Sequence, residues 1–133
     1  MSIYDKKSIP QLIQIAQKHF NAYIRARDAK DGYFICISCN TPKILEKMQA
    51  GHYLSAGHHS YLRFNPENVH GQCIRCNMHL HGNPTNYRIN LIRKIGQETV
   101  EALEATMHTS IKQDRFTLME IIEKYKSLVK QAA

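Results

Sequence analysis

No run of apolar residues in this chain approaches the ~20 needed to cross a bilayer, and neither end carries a lipidation motif. A helical membrane anchor is excluded on that ground, and a soluble protein is expected. The opening Met1-Ser2-Ile3-Tyr4-Asp5-Lys6-Lys7 is not a charged stretch followed by an apolar one, so no secretory signal is read there. There is no internal repeat, low-complexity tract or flexible linker, which leaves residues 1–133 to form one domain large enough for a real core. Acidic side chains are few: 11 Asp and Glu stand against 18 Lys and Arg, for a net charge of +7 and a pI near 9.3. Phosphate neutralisation by Lys and Arg is the main source of non-specific nucleic-acid affinity, so this balance points to a polyanionic partner. A merely basic soluble protein is the plainer alternative.

Cysteine is confined to two pairs, Cys36-Ile37-Ser38-Cys39 and Cys73-Ile74-Arg75-Cys76. Two such knuckles place four thiolates within reach of one tetrahedral ion, and soft sulfur in that geometry selects zinc. A structural zinc held by Cys36, Cys39, Cys73 and Cys76 is therefore expected. Two disulfides in a secreted chain are the alternative, but without a signal segment a reducing cytoplasm is favoured. The 33 residues from Asn40 to Gln72 carry His52, His58, His59, Asn68 and His70, and Asn77 follows the last cysteine directly.

Ser8-Ile9-Pro10-Gln11 has the form of a capping box and predicts a helix to about Arg27, with Leu12, Ile13, Ala16, Phe20, Tyr23 and Ile24 at helical spacing. Asp31-Gly32 reads as a turn and Tyr33-Phe34-Ile35 as a short strand, after which Thr41-Pro42 turns the chain away from the first knuckle. Met48 to Leu54 predicts a strand around His52, Gly57-His58-His59-Ser60 a loop, and Tyr61-Leu62-Arg63-Phe64 the second strand of a hairpin. Asn65-Pro66-Glu67-Asn68 closes that hairpin as a turn. Cys76 opens a short helix stopped at Gly82; Asn83 caps the next, with Pro84 first and Tyr87, Leu91, Ile92 and Ile95 along one face before Gly96. Val100, Leu103 and Met107 mark a third short helix. Asp114 caps the last, whose stripe of Leu118, Ile121, Ile122, Tyr125, Leu128 and Val129 either packs on the first helix or pairs with a second copy. The expected fold class is α+β: a small zinc-centred core over about residues 33–82, a helix over about 8–29 and further helices over about 84–132.

A histidine on a strand, an asparagine in the following turn and a metal-binding residue opening a helix form the ββα-metal plan of the HNH (His-Me finger) nucleases, here as His52, Asn68 and Asn77. The plan suits phosphodiester hydrolysis. A neutral imidazole takes a proton from water near neutral pH, while a hard divalent ion stabilises the phosphate and the departing oxygen. The amide oxygen of Asn77 suits Mg or Mn better than a second zinc. Each residue alone has a plainer role: a packed histidine, a turn asparagine, a helix cap.

Several strings resemble the NinG (Rap) recombination proteins of lambdoid phages: Ala50-Gly51-His52-Tyr53, Leu62-Arg63-Phe64-Asn65, Asn68-Val69-His70-Gly71-Gln72-Cys73, Cys76-Asn77-Met78-His79 and Leu91-Ile92-Arg93-Lys94-Ile95-Gly96. The resemblance runs from about Ser8 to the last helix. It implies endonucleolytic cleavage of branched double-stranded DNA, including D-loops and Holliday junctions, in the cytoplasm of a bacterial host. The zinc-framed core also looks like the junction-resolving endonuclease of T-even phages. Two departures stand out. A basic, Cys-containing N-terminal region of the family has no counterpart here, and Gly51 stands where HNH nucleases commonly place Asp or His before the general base. One metal ligand is thereby left open, with His70 the first substitute, His81 the second by its place four residues after Asn77 on one helical face, and His79 the third.

The sequence is thus read as a ββα-metal nuclease in which zinc holds the fold and Mg or Mn assists the chemistry. His52 activates water as the general base, Asn68 positions that base, and Asn77 with His70 or His81 holds the catalytic ion. Arg63, Arg75, Arg88, Arg93 and Lys94 are the candidate phosphate contacts. A homodimer is expected from the two incisions that resolving a four-way junction takes. The rival readings are a zinc-stabilised DNA-binding module without catalysis and a protein-interaction domain.

Overall fold

Ser8 starts the first helix, α1 (Ile9–Asp28), with the capping box its sequence predicts: Ser8 Oγ accepts from the Gln11 amide and Gln11 Oε1 accepts from the Ser8 amide. The computed structural model describes residues 3–56 and 60–132, so the expected loop at Gly57, His58 and His59 lies outside the described residues. After the Asp31-Gly32 turn, β1 (Tyr33–Ile35) pairs antiparallel with β2 (Pro42–Ile44), and the first cysteine knuckle forms the tip of this hairpin. Here the expectation is corrected: Pro42 does not turn the chain away but opens β2. A strand's first residue on an edge has no ladder donor to supply, which is where proline is tolerated.

The second hairpin also differs from its prediction. β3 (Met48–His52) pairs antiparallel with β4 (Val69–Cys73), whereas the stretch expected as its partner, Tyr61–Phe64, begins in a short 3-10 turn over Ser60–Leu62. All five residues of β4 are buried, so the strand has no polar-apolar alternation to read. A wide helical turn over Arg75–His79 then leads to α2 (Pro84–Ile95), α3 (Gln97–Ala105) and α4 (Arg115–Ala132). Asn83 precedes α2 in a left-handed conformation (φ 44°) and its side chain does not cap the helix; its amide donates instead to Cys76 Sγ at 3.6 Å. Asp114 caps α4 as predicted, accepting from the Thr117 amide at 2.8 Å. The result is a mixed α+β fold of four helices and two small sheets among the described residues.

The four-residue spacing of Leu12, Ala16, Phe20 and Ile24 gives α1 one fully buried face. Leu118, Ile122 and Tyr125 of α4 are buried against it, with Phe20 meeting Tyr125 edge-on at 4.8 Å. The apolar stripe of α4 is therefore covered by α1 within the chain. The other side of the β3–β4 hairpin receives α2, whose buried Tyr87 donates to the Gly51 carbonyl at 2.7 Å.

Asp28, at the end of α1, ties the two sides together. Its carboxylate accepts from the Gly71 amide at 2.7 Å, from Arg27 Nε at 2.8 Å and from Lys94 Nζ at 3.1 Å. Burial pushes its acid up, but the Arg27 hydrogen bond, the Lys94 charge and the Gly71 amide together bring it down to about 2. A depressed carboxylate contributes stability above its unfolded pKa, and that contribution is lost as pH falls toward the folded value. Asp28→Asn is expected to cost about 2 kcal/mol at pH 7. Urea denaturation of the two proteins checks this, and indistinguishable midpoints would show that the anchor carries no weight.

Candidate metal centre and histidine groove

The tip of the β1–β2 hairpin and the end of β4 bring Cys36, Cys39, Cys73 and Cys76 together, with their sulfurs all within 4.8 Å of one another. Cys39 Sγ and Cys73 Sγ are 3.9 Å apart, close to the roughly 3.8 Å expected of two sulfurs on a tetrahedral zinc. The amides of Cys39 and Cys73 point at Cys36 Sγ, and that of Cys76 at Cys73 Sγ, at 3.3 to 3.5 Å. Such donors stabilise thiolate charge. Burial nevertheless raises the Cys36 thiol to about 12, while hydrogen bonds bring Cys39 down to about 7 against its own burial, so it is above all the buried Cys36 whose ionisation a cation has to offset. Four close cysteines with these supports could hold a metal such as zinc.

Immediately beyond the second knuckle, Asn77 and His81 line a groove of about 330 Å³ with His52, Ala50, Tyr53 and Gly82. His52 ends β3, and its Nε2 lies 3.0 Å from the Arg63 carbonyl. A carbonyl only accepts, so Nε2 carries the proton and Nδ1 keeps a lone pair. Burial lowers the His52 pKa, which holds the ring neutral. Asn77 Nδ2 donates to Gln49 Oε1 at 2.7 Å, and this fixes the amide with its oxygen unpartnered among the described residues. His81 arrives by another route than predicted: the helical turn ends at His79, and His81 has φ 51°, so it shares no helical face with Asn77 but reaches the same groove.

Asn68 and His70 are placed elsewhere. Asn68 is fully buried; it accepts from the Leu54 amide and donates to the Leu54 and Leu62 carbonyls. It clamps the segment leaving His52 to the one that presents the Arg63 carbonyl. His70 pairs with Gly51, and His52 with Val69, so the two imidazoles project from opposite faces of the hairpin. His70 Nε2 donates to the Glu67 carbonyl and Nδ1 accepts from Arg27, which uses both ring nitrogens. Burial, with Lys94 nearby, lowers its pKa to about 4. His79 lies in a separate cleft with Arg75. Among the candidate phosphate contacts, Arg88 is paired with Glu104 and Lys94 with Asp28, while Arg63 reaches Gln17. Arg75 and Arg93 are exposed.

Gly51 has a steric reason. A Cβ there would lie 2.0 Å from Gln72 Oε1 and 2.9 Å from Gln72 Cβ, the diagonal neighbour on the same face of the hairpin, two residues beyond its direct partner His70. Gln72 is fully buried and held by Nε2 donation to Ser38 Oγ and the Gly82 carbonyl, so it has no room to move. Its Oε1 has no hydrogen-bond partner among the described residues and rests against Gly51. Gln72 therefore braces the first knuckle, the loop after the second and the strand of His52 against one another. Neither Gln49 nor Gln72 was read from the sequence, because a glutamine in a short strand carries no signal that it is buried.

A family model described as "Bacteriophage Lambda NinG protein" matches residues 4–133. The chain belongs to the NinG family. It is 44% identical over 93 residues to Protein ninG of Escherichia phage lambda, 43% to that of Escherichia phage 933W and 41% to that of Salmonella phage P22, in each case over 70% of this chain and 44% of the relative. The match thus spans less than half the length of these NinG relatives. No solved structure matches the chain. No helix among the described residues is long and apolar enough to cross a membrane.

For this NinG family member, Gly51→Ala is expected to cost about 1–3 kcal/mol, the usual range for overpacking. Adding Gln72→Ala removes the obstructing side chain, so the double variant should lose less than the sum of the two single ones. Thermal denaturation of the three proteins measures the coupling; additive losses would show that the two residues do not collide.

Proposed function

We propose that this chain is a zinc-stabilised, divalent-metal-dependent endonuclease that cuts branched DNA, with His52 and Asn77 at its catalytic centre. One observation carries the reading: the two side chains meet in one groove beside the cysteine cluster, each with its chemically useful atom left free by an internal hydrogen bond. The ββα-metal plan is supported by the β3–β4 hairpin leading into the helical turn of Asn77, and the branched-DNA substrate by the resemblance to NinG (Rap) proteins. His52 Nδ1 takes a proton from the water that attacks the phosphodiester, and the Arg63 carbonyl stabilises the imidazolium that forms. Asn68 keeps that carbonyl in place through the loop it clamps. Asn77 Oδ1 and His81 would hold Mg or Mn, which when bound supplies charge stabilisation for the phosphate and the departing oxygen. Among the described residues no carboxylate lines the groove, so a bound ion would depend on the substrate phosphate for charge balance, and an imidazole donor would suit Mn better than Mg. The same lack of acid favours the rival reading of a DNA-binding module without catalysis, which metal-dependent nicking of a synthetic junction separates from ours.

Zinc removal is expected to unfold the protein, because the thiolates join the β1–β2 hairpin to β4 and the turn of Asn77. Cys73→Ser should behave alike. Circular dichroism and melting after treatment with a strong chelator test this, and an unchanged melt would remove zinc from the fold.

His52→Ala should cleave at least ~100-fold more slowly, the low end of what a positioned general base supplies, yet bind branched DNA nearly as well as the parent. Asn77→Ala should be similarly slow but partly rescued by added Mn, since only that change weakens the ion's site. Single-turnover cleavage of a labelled junction is the measurement. A folded His52→Ala protein cutting at the parental rate would take the histidine out of the mechanism.

A further inference from the structure

A cleft of about 810 Å³, separate from the groove of His52, runs along the β1–β2 hairpin and is lined by Tyr33, Ile35, Arg93 and Lys30 among others. The hairpin has an unusual polarity. Cross-strand partners share a face, so Tyr33 and Ile44, and Ile35 and Pro42, stand together on one side, with Phe34 and Lys43 on the other. Phe34 is 2% exposed and packs on the cysteines, which makes its face the inner one. The outer face is then entirely apolar, with Tyr33 55%, Ile35 61% and Ile44 45% exposed. An antiparallel hairpin with one solvated face ordinarily carries polar residues there. Apolar groups gathered outside and rimmed by charge mark a surface that binds something.

The rim identifies the charge of the partner. Lys30 and Arg93 flank the platform on the side of the large cleft, and Lys47 and Arg75 flank it in the cleft on the far side. None of the four is in an ion pair among the described residues. Among the described residues no acidic side chain lines the far cleft; the large one has two, Asp28, already engaged by Arg27 and Lys94, and the exposed Asp31, so the rim as a whole stays cationic. Cations on both sides of an apolar strip fit a strand that has phosphates outside and bases between. Intact duplex does not fit, because its base faces are stacked inside and it presents nothing apolar to bury Tyr33 and Ile35. The platform measures roughly 7 Å along the strands and 5 Å across them, room for about one nucleobase.

We propose that the outer face of the β1–β2 hairpin is a nucleic-acid site that stacks an unpaired base on Tyr33 and Ile35 while Lys30, Arg93, Lys47 and Arg75 hold the flanking phosphates. The site rests on the branched-DNA reading above and gives it a physical basis, since a branch point is where duplex DNA exposes base faces. It lies apart from the groove of His52: Arg75 and His79 face this hairpin from the same helical turn that presents Asn77 to the groove. One molecule of DNA can therefore engage both.

The experiment is equilibrium anisotropy of the zinc-loaded chain, without other divalent ions, on a fork with unpaired nucleotides and on a matched duplex. Tyr33→Ala is expected to weaken fork binding about tenfold, in line with one lost base stack, and to leave duplex binding unchanged. Tyr33→Phe should keep parental affinity, which guards against a general loss of fold. Lys47→Ala and Arg93→Ala should weaken both DNAs and lower the salt slope by about one each. A 2-aminopurine at the branch should be quenched by the parent and not by Tyr33→Ala. Parental fork affinity and quenching in Tyr33→Ala would overturn the inference and leave the platform as a protein-binding face. Fork selectivity that depends on Tyr33 in a protein that never nicks DNA would sink the endonuclease reading alone. Normal cleavage with selectivity indifferent to Tyr33 would sink the stacking site alone.

Discussion

The Cys73 amide donates to Cys36 Sγ at 3.3 Å, and much of the arrangement follows from that contact between the two ends of the long insert. For the second knuckle to meet the first, β4 must run beside the tip of the β1–β2 hairpin, which the Ile37 amide bonding the Gly71 carbonyl secures. With β4 fixed, the helical turn that follows it is aimed at β3, where Gln49 takes hold of the Asn77 amide. Gln72 then braces Ser38, Gly82 and Gly51 in one fully buried side chain. The cysteine cluster and the groove are in this way mechanically one object. A residue that only helps the knuckles meet still sets where Asn77 and His52 face each other.

That coupling explains which parts of the molecule were legible in the sequence. The capping box at Ser8, the strand around His52, the Asp114 cap and the cysteine cluster were all readable, because each rests on a local pattern or on a residue type with few uses. β4 was not, since a strand buried along its whole length shows no alternation, and Tyr61–Phe64 offered a better pattern in the wrong place. Asn83 looked like a cap because asparagine usually is one. Its amide is drawn instead to the Cys76 sulfur, a partner that appears only once the chain has folded. Asp28, whose carboxylate holds α1, β4 and α2 together, lies at a helix end where acids are unremarked, and only the fold brings Gly71 and Lys94 to it.

Histidine roles were the least legible, for a reason that is purely geometric. His52 and His70 sit on facing strands, and both are kept neutral by burial. What separates them is the register: His70 faces Gly51 and His52 faces Val69, one rung apart, so one ring turns inward and the other reaches the groove. His70 spends both nitrogens on the protein, whereas His52 spends one. Shifting the register by one residue would exchange their surroundings, and nothing in the residue types would record it.

Gly51 shows how a local vacancy propagates outward. A carboxylate at this position would need a Cβ in space that Gln72 fills, so the brace between knuckles and strand and an acid beside His52 exclude each other. The groove lies on the opposite face, that of His52, and has only neutral donors among the described residues, so an isolated divalent ion would gain little by entering it. On the proposed reading the ion then arrives with the phosphate that neutralises it, and affinity for nucleic acid has to come from somewhere else. The cations flanking the outer face of the β1–β2 hairpin are where the chain has that charge to spare. On that reading binding and chemistry are divided between two surfaces that share the turn from Arg75 to His79, and a substrate that reached only the hairpin face would be held without being cut.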